Sequence, residues 1–600
     1  MNPATTQLPH WDMSTVYPGL DSAEFQAGLE DGIQALDKLV AQFDKHGIML
    51  RELPLEANTE TSVIFEEILA KFNALGAQLH TLEAYVYSFI STNSRNETAQ
   101  ACLSHLQQEL IRFSQLSTRF TAWIGSLADV EGLIDNSKLA AEHAFALRKA
   151  AIQAQHLMSP AEEALTSDLR LTGGSAWVKL YSNVTSQINV SLELEGEEQT
   201  LPLTAVRNLA YDPDRDVRRR AYNAELAAWE ANALPIAAAL NSIKGEMLAL
   251  SKRRGWETPL DVALFNNNID RQTLDAMLTA SREFFPELRR YLKIKARGLG
   301  VSKLAWYDLF APLGKSEEQW EFAEAQQFIL THFASYSEPL AALAHRAFTA
   351  GWIDAEPRAG KEGGAFCMWL RQGESRILAN YQPAYSGMGT LAHELGHAYH
   401  NLRRAECSYT QRSTPMTLAE TASTFCETIV REAALEKANR QEQLAIIEAS
   451  LQDSLQVTMD ITSRFIFEQE VFARRQEREL STAEFCQIML EAQRATYGEG
   501  LDTEFLHPYM WAVKSHYYGS TFYNFPYMFG QLFSLGLYAR YQADPDTFKA
   551  SYDDLLASTG MAEAAELAAR FDIDIRTPAF WVASLGIIKE DIDRLAALIP

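Results

Sequence analysis

Apolar residues recur at three- and four-residue steps along most of this chain. Between residues 22 and 46, Phe25, Leu29, Ile33, Leu36, Leu39, Val40 and Phe43 make one stripe, which predicts an amphipathic helix. Stripes of the same period over 59–92, 96–129, 138–157 and 215–252 predict four more helices. The last opens in DPDRDVRRRAY, where Asp214 is placed to cap the helix and the alternating Asp and Arg read as a solvated, self-paired face. Two stretches break the helical period. In 185–195, Ile188, Val190, Leu192 and Leu194 alternate with polar residues, the pattern of a half-buried strand. In 364–382 two apolar runs flank Arg371, Gln372, Gly373 and Glu374, which predicts a β-hairpin turning at Gly373. The expected class is mostly α with a small β element. No fixed-period repeat and no flexible linker divides the chain. A boundary is expected near 200–210, giving an N-terminal domain over residues 1–205 and a second domain over residues 206–600.

At 600 residues the chain is too long for one ordinary core, so several domains or one large lobed body is expected. Seventy-eight acidic against 53 basic residues give a net charge of −25, which repels phosphate backbones and anionic lipid. Nucleic acid and membrane partners are therefore not expected. No run of 18 apolar residues occurs and no signal-like start is visible, which points to the cytoplasm. The five Cys are scattered without C-x-x-C spacing, which argues against a disulfide scaffold or a Cys-built zinc knuckle.

The segment that changes the picture is MGTLAHELGHAYHNLRR, residues 388–404. His393 and His397 are four residues apart, so on a helix they share a face and can hold one metal ion. Glu394 sits beside them, in reach of a water at that ion, in the arrangement H-E-x-x-H. With 13 His in 600 residues, chance supplies only about 0.02 such motifs. Gly396 inside the helix costs about 1 kcal/mol against Ala, so a close approach is expected to need its missing side chain.

A catalytic zinc usually takes three protein ligands and a water. Position 403 is Arg and position 400 is His, so the third-His pattern of the metzincins fails. The remaining common source is a carboxylate on a following helix. Residues 414–437 are expected to form one, with Thr414 as N-cap, Pro415 first, and Glu420 and Glu427 two turns apart on one face. Glu420 reads either as the third ligand or, with Thr417, as half of a capping box. Glu427 reads as an acceptor for the outer N–H of a ligand His or as a surface acid. His400 falls off the motif's face. A rival pair of E-x-x-H motifs, Glu394 with His397 and Glu504 with His507, would suit a di-iron bundle, but Gly500 and Pro508 place the second in a loop. The tyrosine-rich stretch 507–530 could supply oxyanion donors, and the edge of the 364–382 hairpin could pair with an extended peptide.

HELGHAYH, AETAST with Glu420, HYYGSTFYNFPYMFG, PRAGKEGGAFC and the opening WDMSTVYPGLDSAEF together resemble the oligoendopeptidase F branch of the thimet oligopeptidase-like zinc metallopeptidases. The resemblance runs over nearly the whole chain. It implies a two-lobed helical body around a deep substrate channel, with a hairpin near one zinc ion per chain. It implies cleavage of internal bonds in short peptides and exclusion of folded proteins. Carried over residue by residue, His393, His397 and Glu420 would hold the metal and Glu394 would be the base. His516 and Tyr523 would be donors to substrate and oxyanion, and Tyr527 a substrate-contacting aromatic.

Overall fold

The computed structural model describes residues 8–599 except 52 and 315–318. The chain forms two compact units, each drawn from three stretches of sequence. The first comprises Met1–Leu157, Glu318–Ala433 and Tyr541–Phe571; the second comprises Met158–Glu317, Ala434–Arg540 and Asp572–Pro600.

Both units are built mainly of helices, and two small sheets interrupt them. In the second unit, strands β1 (Asn189–Leu194) and β2 (Glu197–Pro202) pair antiparallel. Val190 and Leu192 of β1 are buried, as their alternation requires, whereas 185–186 belong to the preceding helix, Gly174–Ser186. In the first unit, β3 (Ile353–Asp354), β4 (Phe366–Arg371) and β5 (Glu374–Leu378) lie in the order β3-β5-β4. The β4–β5 hairpin turns at Gly373, whose φ of 69° is the left-handed region that the turn demands.

The stripes of the first unit become helices Ala23–His46, Thr59–Thr92 and Glu97–Ile124, capped by Ser22, Asn58 and Asn96. Their apolar faces meet in a core containing Phe25, Phe43, Phe65, Phe72, Leu82 and Phe113. The 138–157 stripe is two helices rather than one, Lys138–Glu142 and Ala144–Gln155. The break falls at His143, whose Nδ1 is 2.8 Å from Leu139 O and whose Nε2 is 2.8 Å from Ser408 Oγ.

In the second unit the 215–252 stripe forms helix Arg215–Arg253, with Asp214 capping Asp216 N as expected. The basic face is not wholly solvated. Arg215 and Arg218 hold the fully buried Asp308 at 2.8 and 3.0 Å, and only Arg219 pairs within its helix, with Asp216. Among the described residues no helix is long and apolar enough to cross a membrane. All five cysteines are free.

Candidate metal centre

The H-E-x-x-H motif lies on helix Tyr385–Arg403 of the first unit. Leu391, Ala392, Leu395, Ala398 and Tyr399 bury one side of it. Its end is held by Asp553, which accepts from Tyr399 O–H at 2.5 Å and from an Arg403 guanidinium nitrogen at 2.8 Å. Asn401 donates to Ser375 Oγ at 3.2 Å, which ties the helix to β5. On the remaining face the His393 and His397 rings stand 4.9 Å apart, nearly perpendicular at 80°.

The following segment does not run as the single helix expected over 414–437. It forms a four-residue helix, Met416–Ala419, with Pro415 as N-cap, and then helix Ser423–Lys437. Side-chain hydroxyls take over carbonyls at the break: Thr421 Oγ1 donates to Leu418 O at 2.8 Å and Ser423 Oγ to Glu420 O at 3.2 Å. Tyr552 O–H holds the freed Thr421 carbonyl at 3.0 Å. The break packs directly against Gly396. A Cβ there would lie 2.6 Å from both Ala422 O and Ser423 Cα, so the close approach expected of this glycine is present.

This packing turns Glu420 toward the motif instead of toward its own helix end. Glu420 Oε2 lies 3.2 Å from His393 Nε2 and 3.4 Å from His397 Nε2, and it accepts from Ser423 Oγ at 2.6 Å. One ligand atom from each of His393, His397 and Glu420 falls within 4.8 Å of the others, the only such His/Cys/Asp/Glu group among the described residues. Glu427, on the second helix, places Oε2 3.1 Å from His393 Nδ1. That carboxylate accepts Nδ1–H, so a metal that displaces the Nε2 proton shared with Glu420 would meet the Nε2 lone pair. His400 is turned away and buried, with Nε2 2.6 Å from Thr559 Oγ1. Glu504 and His507 lie in the second unit and belong to no such group, so the di-iron reading has no cluster behind it.

The electrostatics agree with a cation site. Burial opposes a proton on His393, yet the hydrogen bonds and charges of Glu420 and Glu427 outweigh it and lift the ring to about 10. Burial drops His397 to about 4. Burial also raises Glu420, but the hydrogen bond to His393 and the charges of both rings prevail and hold it near 2. Positive charge is therefore retained between the carboxylates, where a metal cation could replace the proton. Burial pushes Glu394 up to about 7; His393 opposes this, and Glu420 and Glu427 add to it. Glu394 Oε2 is buried without a hydrogen-bond partner. Two imidazoles, one carboxylate and an unengaged carboxylate oxygen fit a catalytic zinc and its water. Replacing Gly396 by Ala is expected to weaken metal binding, since two backbone atoms must move before a Cβ fits. Such overpacking costs about 1–3 kcal/mol, more than the helix preference for Ala returns. Metal titration of the apo-protein checks this, and an unchanged affinity would contradict it.

His516, Tyr523 and Tyr527 lie together in the second unit. The His516 and Tyr523 rings are 4.7 Å apart, and those of Tyr523 and Tyr527 are 5.5 Å apart. Tyr527 O–H donates to Tyr523 Oη at 3.2 Å, which leaves the Tyr523 proton to be given elsewhere. Sequence reading missed Asn524 and Arg464. Arg464 donates to Asn524 Oδ1 at 3.1 Å, and His516 Nδ1 lies 3.2 Å from the same oxygen. An oxygen that accepts from Arg464 requires Nδ1–H on His516, so Nε2 is its outward atom. Only the i, i+4 spacing of Arg464 from Asp460 was a local signal.

The family model for peptidase family M3 matches residues 208–587. The chain belongs to peptidase family M3. A second model, oligopeptidase F, matches residues 126–189. An oligoendopeptidase F homolog of Lactococcus lactis subsp. lactis (strain IL1403) is 23% identical over 620 aligned positions, covering 99% of this chain and 98% of its own length. A solved structure from Chlamydophila abortus, described as a peptidase, shares the fold with a TM-score of 0.82 at 21% identity over 98% of both chains. Oligoendopeptidase-F from Enterococcus faecium shares it with a TM-score of 0.70 at 17% identity, over 97% of this chain and 99% of that one. As an M3 peptidase of the oligoendopeptidase F branch, the chain is a metalloendopeptidase.

Proposed function

We propose that this M3 peptidase is a zinc enzyme that cleaves internal bonds of short oligopeptides, with one zinc per chain held by His393, His397 and Glu420. The observation that carries this is the meeting of two Nε2 atoms and one carboxylate oxygen beside the unengaged Glu394 Oε2. A zinc ion held there would supply Lewis acidity to a water and to a peptide carbonyl. Glu394 takes the proton of the attacking water at Oε2 and passes it to the leaving amine. Burial raises the Glu394 carboxyl, which favours its taking and returning a proton. Glu427 fixes the His393 tautomer.

Tyr523 and His516 are proposed as donors to the oxyanion and substrate, and Tyr527 as a substrate contact whose own O–H is given to Tyr523. His516 donates from Nε2 only when protonated, because Nδ1–H is committed to Asn524. Tyr523→Phe removes one hydroxyl and keeps the ring. Loss of a bond formed mainly in the transition state should lower kcat by about 10²–10³ and leave KM and zinc content nearly unchanged. Tyr517→Phe is the control, because the Tyr517 ring is buried and its hydroxyl reaches only Arg464 O at 3.4 Å. A near-normal kcat for Tyr523→Phe with a large loss in the control would reassign the donor.

The β4 edge is proposed to pair with an extended peptide, though its Trp369 carbonyl is taken by His80 Nε2 at 2.9 Å. A deep channel that admits peptides and excludes folded chains rests on the family resemblance. Peptides of about 5–20 residues, enough for several contacts along a strand, should be cut and casein-like proteins spared. Digestion of a peptide library and of casein, read by mass spectrometry, tests this; efficient casein digestion would overturn it. The division into an N-terminal domain of residues 1–205 and a catalytic domain of residues 206–600 rests on the interval between the two family matches, and the two compact units cut across it. Five free cysteines suit the reducing cytoplasm, and the charge of −25 suits a protein without nucleic acid or membrane partners.

A further inference from the structure

The second unit forms a pocket of about 310 Å³ that opens to solvent beside Tyr211 and whose wall includes Arg207, Tyr222, Trp306, Gln456, His507 and Lys514. Empty packing defects are apolar and lined by satisfied groups. This cavity is neither. Lys514 makes no side-chain hydrogen bond or ion pair among the described residues, although it sits in the wall. His507 is 1% exposed, and neither of its ring nitrogens is hydrogen-bonded. Its Nε2 is 3.4 Å from Glu225 Oε1, close enough for attraction but outside hydrogen-bond geometry. Glu225 is already engaged by Arg207 at 3.0 Å and by Trp229 Nε1 at 3.1 Å. Part of the wall comes from the π-helical turn Gln456–Asp460, an insertion of a kind that recurs at functional sites.

The charges define what would fit. Arg207 is matched by Glu225, Arg218 by Asp308 and Asp460 by Arg464, so Lys514 is the cation left over. Burial and the neighbouring Arg464 hold its amine down to about 7, although Asp460 and Glu225 pull it the other way. A single negative charge completes the set. A phosphate dianion would meet Glu225 and Asp460 in the same wall. The aromatic rings of Tyr222, Trp306 and Tyr497 give the wall apolar surface, with Trp306 and Tyr497 set edge to face at 62°.

We propose that this cavity binds a small aromatic monocarboxylate, its carboxylate paired with Lys514, its ring packed against Tyr222 and Trp306, and His507 as a second polar contact. The same chemistry is offered by a free aryl acid and by the carboxyl end of a peptide that terminates in an aromatic residue. The wall is linked to the tyrosine-rich segment: Asp460 holds Arg464, Arg464 holds Asn524, and Asn524 holds His516. An occupant that displaced Asp460 or Lys514 would therefore act on His516. That consequence rests on the proposed role of His516, whereas binding itself does not.

Binding is measured by calorimetric titration of the full-length, metal-loaded protein, without reference to peptidase activity. Phenylacetate and N-acetylphenylalanine stand for the two sources, and the tighter of the two identifies the source. Phenylacetamide and phenylphosphonate are the uncharged and dianionic controls. One carboxylate should bind per chain, and the amide should bind about 10–100-fold more weakly, the worth of one hydrogen bond to a charged group. Lys514→Met, which keeps the stem and removes the charge, should lose the same factor. Ala221→Leu keeps Lys514 and narrows the cavity, and should also weaken binding. Thermal melting confirms that each variant is folded. Equal binding of phenylacetamide, tighter binding of the phosphonate, unchanged affinity in a folded Lys514→Met, or no carboxylate binding at about 10 mM would each overturn the proposal.

Discussion

Glu394→Gln is expected to abolish peptide hydrolysis and leave the metal in place. Glutamine keeps the size of the side chain but cannot take a proton from water. Glu394 Oε2 has no partner within the protein, so the exchange breaks no hydrogen bond at that atom. It also removes a buried ionisable group whose pKa burial has already pushed up to about 7, so folding should not suffer. A positioned general acid or base contributes about 10²–10⁴ to the rate, and here one residue serves in both steps. The expected kcat therefore falls by at least about 10³, with zinc content and melting temperature held. A variant that keeps a tenth of the wild-type turnover would remove Glu394 from the role of base.

Glu420→Ala should yield metal-free, inactive protein, whereas Glu427→Ala should keep most of its zinc. The two carboxylates both touch His393, but on opposite nitrogens. Glu420 Oε2 faces both Nε2 atoms, the position of a ligand atom. Glu427 reaches only His393 Nδ1, where it can orient the ring and raise its basicity. Loss of such an orienting partner typically costs about 10–100-fold in affinity or activity. Loss of a direct ligand removes a third of the protein's hold on the ion. Metal analysis of both variants after identical purification distinguishes them. Retention of zinc in Glu420→Ala and its loss in Glu427→Ala would exchange the two roles.

The helices of the first unit and the β4–β5 hairpin are legible in the sequence because their cues are local. Apolar steps of three and four residues recover Ala23–His46 and Thr59–Thr92 almost to the residue, and Gly373 marks its turn. His393, Glu394 and His397 are legible because their chemistry is written at one helical spacing, and Gly396 because a mid-helix glycine needs a reason. The break between Ala419 and Ser423 is not legible. Residues 414–437 have the composition of a continuous helix, and what interrupts them is tertiary: backbone packed on Gly396 and a carbonyl captured by Tyr552, 131 residues away. Long-range partners explain the other departures too. Asp308 draws Arg215 and Arg218 out of the self-paired face expected of them, across 93 and 90 residues. Ser408 captures His143 from 265 residues away. Asn524 carries no motif of its own; its position between Arg464 and His516 follows only from the folded second unit.

The most direct measurement is anomalous diffraction at the zinc absorption edge from crystals of the purified protein. One peak per chain is expected, about 2.0–2.2 Å from His393 Nε2, His397 Nε2 and a Glu420 carboxylate oxygen. A second metal, a peak held by other residues, or a fully ordered His393–His397–Glu420 group without zinc in active protein would contradict the assignment of this centre.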